Sequence, residues 1–112
     1  MRRVLIGGFG EIPRLGLRDL LRDRGFELVA EAGAGAAVVP CLNEARPDVV
    51  VLDLDDDRTM DVASVISREF PAIKVVAFSS EQPVMRVFPA FHHGESYSSP
   101  LSREFLASAL EH

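Results

Sequence analysis

RPDVVVLDLD, residues 46–55, sets four consecutive apolar residues, Val49 to Leu52, directly before an acid, Asp53. A continuous β-branched run of this kind suits a central strand of a parallel sheet, covered on both faces. Val4-Leu5-Ile6 and Val75-Val76-Ala77-Phe78 have the same character. Phe26 to Ala32 alternates more and reads as a strand nearer an edge. Glu95 to Ser98 is short and polar and reads as the far edge strand.

Helical spacings fall between these runs. Leu17, Leu20 and Leu21 share a face of the first helix, with Ile12 nearby. Val62, Val65, Ile66 and Phe70 form a stripe for the third. Leu101, Phe105, Leu106, Ala109 and Leu110 form one for the last. The second helix, over about 35–45, carries Pro40, so it is expected to be late, short or kinked. The fourth, over about 81–93, carries Pro83 and Pro89. Pro83 suits a helix start, whereas Pro89 in the interior predicts a broken or displaced helix. The expected fold class is α/β, a doubly wound (βα)5 unit. Its sheet would be five-stranded and parallel, in the order 2-1-3-4-5, with an irregular fourth helix.

The chain has 112 residues, which predicts one domain. Residues 1–110 would form it, and Glu111 and His112 read as an expression-tag remnant. Hydrophobic residues make up 47% and charged residues 26%, an ordinary globular composition. The single cysteine, Cys41, offers no disulfide framework and fits a reducing cytoplasm. It lies among Val38, Val39 and Leu42 and is expected to be a buried small hydrophobe. No apolar run approaches the roughly 20 residues of a membrane span, and no signal peptide is expected. The net charge of −5 argues against this chain gripping nucleic acid by itself.

In open α/β sheets ligands bind at the C-terminal ends of the strands. Here those ends are Gly7-Gly8-Phe9-Gly10, Asp53, Ser79-Ser80 and Ser98-Ser99-Pro100. The expected strand order sets Asp53 beside the glycine turn. Gly8-x-Gly10-x-x-Pro13 falls one glycine short of the dinucleotide fingerprint, with Glu31 about 20 residues on, where that fingerprint places an acid. Gly7, Gly8 and Gly10 are therefore candidates for a small anion at the start of the first helix.

In four blocks the chain resembles response-regulator receiver domains. RPDVVVLDLD resembles their third strand, with Asp53 at the phospho-acceptor position. AIKVVAFSS (72–80) is similar to the fourth, with Ser79 where the family keeps Ser or Thr. RVLI with GLRDLLRDRGFELVAEAGAG (16–35) looks like the opening of the subclass that carries a helix-turn-helix output domain. SSPLSREFLASAL (98–110) is similar to the ending. The resemblance implies a flavodoxin-like receiver fold.

Departures fall at the family's working positions. The paired acids that help hold Mg²⁺ read Gly8 and Phe9, and the lysine before the last proline reads Ser99. The aromatic switch position falls on Ser96, with Tyr97 one place off. The turn after Asp53 reads Asp55-Asp56-Asp57-Arg58. Phosphoryl transfer to a carboxylate needs Mg²⁺ and a cation to neutralise charge. Gly8, Phe9, Asp55, Ser79 and Ser99 therefore read as remnants of a pocket, with Asp53 inactive, no catalytic residue, no metal and no cofactor.

The function expected from the resemblance is an atypical, phosphorylation-independent receiver. It would be the cytoplasmic input and dimerisation domain of a bacterial transcription regulator. Such a domain would form a homodimer, reach DNA only through a missing C-terminal domain, and answer to a small ligand or partner protein. Two alternatives stand beside it: a conventional Mg²⁺-dependent phospho-accepting receiver at Asp53, and a Rossmann-like module binding a small anion at Gly7 to Gly10. Adjacent His92 and His93 would face apart and suit a surface loop. Met85, Phe88 and Phe91 would be core or, if exposed, a partner surface.

Overall fold

The computed structural model describes residues 2–111. Strands β1 (Arg3–Gly7), β2 (Glu27–Ala32), β3 (Val49–Asp53), β4 (Lys74–Phe78), β5 (Val84–Phe88) and β6 (Tyr97–Pro100) form one sheet. Helices are α1 (Glu11–Asp23), α2 (Leu42–Ala45), α3 (Thr59–Glu69) and α4 (Arg103–Glu111), and a 3-10 segment, Gly35–Cys41, leads into α2. The three apolar runs are indeed central: Val4, Leu5, Val49–Leu52 and Val75–Ala77 are fully buried. Their side chains alternate between two cores. One, with Val4, Ile6, Val51, Val76 and Phe78, packs under Leu17, Leu20 and Leu21 of α1 and Leu106 and Leu110 of α4. The other, with Leu5, Val50, Leu52, Val75 and Ala77, packs under Val38, Leu42 and Ile66. Helices thus cover both faces, as the doubly wound reading requires.

The sheet order is β2-β1-β3-β4-β5-β6. The first four positions match expectation, and β1, β2, β3 and β4 pair in parallel. The rest corrects it. The sheet has six strands, not five, and is mixed, because β5 runs antiparallel to both β4 and β6. The expected fourth helix does not form, and VMRVF, residues 84–88, is strand β5 instead. Pro83 and Pro89 bracket those five residues, too short a span for a stable helix and the usual length of a strand. Met85 and Val87 face one core and Phe88 the other, so the segment buries apolar groups on both sides.

Smaller differences follow from which faces are covered. The second helix is short and late, as Pro40 predicts, with that proline in its 3-10 lead-in. The far edge strand starts at Tyr97 rather than Glu95. Ile12, Val65 and Phe105 are exposed, although their spacing placed them near apolar stripes. Cys41 is half-buried rather than buried, its thiol donating to the Ala37 carbonyl at 3.5 Å. Glu111 ends α4, and His112 lies outside the described residues.

Candidate functional site

Asp53 ends β3, in register with Phe78 of β4, so both side chains lie on the α1 side of the sheet. Its Oδ1 accepts the backbone N–H of Asp55 at 2.9 Å. Its carbonyl accepts the Thr59 hydroxyl, which buries Thr59 at the start of α3. Partial burial raises the Asp53 pKa above the ordinary carboxylate value, opposed by the Asp55 N–H and reinforced by the charges of Asp55 and Asp56.

Phe9 occupies the neighbouring space. It is 6% exposed and stacks on Phe78, with ring centroids 4.8 Å apart. The glycine turn is engaged in packing. The Gly8 N–H donates to the Ala32 carbonyl at 3.1 Å, and Gly8 has φ 85°, which a side chain disfavours. A side chain on Gly7 would collide with Val38 in the 3-10 segment. Gly10 precedes α1, its carbonyl accepting Arg14 N–H at 3.2 Å. Glu31, the candidate ribose acid, pairs instead with Arg18 at 2.5 Å and Arg14 at 3.8 Å.

The hydroxyl of Ser79 donates to Asp55 Oδ1 at 2.6 Å and accepts the backbone N–H groups of Glu81 and Gln82 at 3.0 Å each. Asp55 Oδ2 also accepts the Ser80 N–H at 3.0 Å and hydroxyl at 3.1 Å. These bonds hold the Asp55 carboxyl below its ordinary pKa, the Ser79 hydroxyl most of all. Asp55 therefore clamps the turn that sends the chain from β4 back along β5. Asp56 works locally, its Oδ1 accepting the Arg58 N–H at 2.9 Å. Ser80 and Thr59 are partners the sequence reading missed. The Ser79-Ser80 doublet after an apolar strand, facing an acidic loop, was the available signal for the first.

Ser99 stands apart from the group. It pairs with Met85 across the β5–β6 ladder, and Met85 in turn pairs with Phe78. Asp53, Phe78, Met85 and Ser99 thus form one cross-strand row, with Ser99 three strand spacings from Asp53, roughly 14 Å. Methionine, not the residue at the expected lysine position, lies next to β4. Ser96 accepts a hydrogen bond from Arg86 Nε at 2.9 Å, and Tyr97 is exposed. His92 and His93 are exposed, as expected of a surface loop, and Phe91 is exposed while Met85 and Phe88 are core. Among the described residues no group of three or more His, Cys, Asp or Glu gathers as a metal site.

No family model matches the chain. Curated relatives do. The transcriptional regulatory protein PdtaR of Mycobacterium tuberculosis is 37% identical over 89 residues, covering 76% of this chain and 43% of PdtaR. The chemotaxis protein CheY of Listeria monocytogenes is 28% identical and covers 99% of this chain and 97% of CheY. The chain is a response-regulator receiver domain. It spans less than half the length of PdtaR. Among solved structures, a signal receiver domain of a modulated diguanylate cyclase from Desulfovibrio desulfuricans, an example of alternate folding, matches this receiver domain with a TM-score of 0.69. That match is 18% identical and covers 99% of this chain and 91% of the other, so the receiver fold, taken nearly end to end, has a solved counterpart.

Proposed function

We propose that this receiver domain is atypical and works without phosphorylation, as the non-enzymatic input and dimerisation domain of a bacterial transcription regulator. The observation that carries this reading is the Phe9–Phe78 stack beside Asp53. Mg²⁺ needs octahedral oxygen ligands, with carboxylates among them. Gly8 and Phe9 offer only backbone oxygen, and both Asp55 oxygens are bound to Ser79 and Ser80. Met85 fills the place beside β4 where a cation would meet a phosphoryl group. The residues present do not fit the metal, and Asp53 is an acceptor without its apparatus.

The regulatory half of the reading rests on the relatives. PdtaR is a transcriptional regulatory protein more than twice as long as the matched segment, which leaves room for an output domain. The net charge of −5 supports DNA contact through such a domain rather than this one. Dimerisation is supported by exposed apolar side chains on α1 and α4, Ile12 at 83%, Leu15 and Phe105, and by an apolar groove between the same two helices. Control would come from protein contacts, a small ligand or abundance. The proposed setting is cytoplasmic, and no described helix is long and apolar enough to cross a membrane.

The test is to titrate Mg²⁺ and then beryllofluoride into the protein and follow amide shifts by NMR. The expected result is no saturable shift around Asp53 in a folded sample. Saturable shifts that vanish in Asp53→Asn would instead assign a working phospho-acceptor site.

A further inference from the structure

The antiparallel run of β5 carries its C-terminal end to the end of the sheet opposite Asp53. There Arg2, Asp48, Lys74, Pro89, Ala90 and His92 line a cavity of about 250 Å³. Lys74 opens β4 and is only 8% exposed. Among the described residues neither Lys74 nor Arg2 takes part in an ion pair. Arg2 is held by Nε, which donates to the Leu110 carbonyl at 2.9 Å. Asp48, the one carboxylate among the described lining residues, is tied to the backbone, its Oδ2 accepting the Arg3 N–H at 2.8 Å.

The Lys74 stem is buried while its ammonium opens on the cavity, where no ion pair among the described residues balances it, and a second cation beside it adds repulsion. Burial lowers the Lys74 pKa, and the charge of Arg2 lowers it further. An anion between the two would relieve both effects. The loop above is set firmly for this. Phe91 sits at φ 63° with its N–H donating to the Pro71 carbonyl at 2.7 Å, and His92 Nδ1 lies 3.0 Å from the Ala90 carbonyl, orienting the ring. The chain as a whole is acidic, so attraction for an anion has to come from these local cations rather than from the overall field.

We propose that this cavity binds a phosphate-type oxyanion, gripped by the Arg2 guanidinium and the Lys74 ammonium. A guanidinium fork and a point-charge ammonium form a recurrent phosphate pair. The volume far exceeds the roughly 30 Å³ share of one water, so free phosphate and a small phosphomonoester both fit.

Inorganic phosphate, glycerol phosphate and acetate would each be titrated into the 112-residue chain, with amide shifts read by NMR. Saturable shifts at Lys74, Ala90 and His92 with inorganic phosphate are expected, weakened about ten-fold or more in Lys74→Met and in Arg2→Gln. Arg58→Gln, at the opposite end of the sheet, should leave them unchanged. Tighter binding of glycerol phosphate would assign a phosphomonoester, and tighter binding of the free ion would assign phosphate itself. Arg2→Gln keeps the test open if Lys74→Met fails to fold. Absence of shifts, equal binding of acetate, or undiminished binding in the folded variants would overturn the proposal.

Discussion

Phe9 is structural: its ring is buried against Phe78. Phe9→Ala would open a cavity between α1 and β4 and lose the stack on Phe78. The expected cost is about 3–5 kcal/mol, read from urea unfolding. The two acids nearby pull in opposite directions. The Asp53 pKa is raised in the fold, so its ionised form destabilises the native state at neutral pH, and this penalty fades as pH falls through the folded value. Asp53→Asn keeps the Oδ1 acceptor for Asp55 and should raise the Tm at pH 7, with the gain disappearing once the pH is below the unfolded carboxylate value. The Asp55 pKa is lowered, so its contribution is present above the unfolded carboxylate value and lost as pH falls through the folded one. Asp55→Ala should therefore lower the Tm at pH 7 and converge with the parent protein in strong acid. Thermal melts of the parent and both variants across that range check the two signs together.

Strand β5 is where the fold departs from expectation. NMR secondary shifts should report residues 84–88 as extended, with cross-strand NOEs joining 75–78 to 85–88. Helical shifts there would contradict the described sheet. Much of the rest was legible, because Val4–Ile6, Val49–Leu52 and Val75–Phe78 are buried on both faces and leave no periodic ambiguity. VMRVF was legible in part. Its bracketing prolines and two valines favour a short strand, but a (βα)5 frame assigns a helix there. The consequence reached the site. Ser99 was placed by its neighbour Pro100, and only the pairing of β5 with β4 reveals that Met85 comes between. Phe9 as a plug was readable from its apolar character. The bonds of Asp55 to Ser79 and Ser80 depend on tertiary approach of two loops, as does the cavity around Lys74. A lysine opening an otherwise apolar strand was the one hint of the latter.

For the whole molecule, the α1–α4 groove predicts self-association. Sedimentation equilibrium should show a concentration-dependent dimer, and Ile12→Arg with Phe105→Arg should weaken it about ten-fold or more. A parent protein that stays monomeric at high concentration would remove dimerisation from the proposed role. The mixed sheet also divides the chain by how far apart its partners lie in sequence. Val4 must find Val49, whereas Phe78 needs only Met85 and Val87 only Tyr97. The β4–β5–β6 meander replaces a crossover, which closes a long loop, with two hairpins that close short ones, and short closures cost less chain entropy on the way to the native state. The C-terminal third is thus the part of this protein whose strands pair with near neighbours, whereas β1 and β3 meet only across the helices and strand that separate them in sequence.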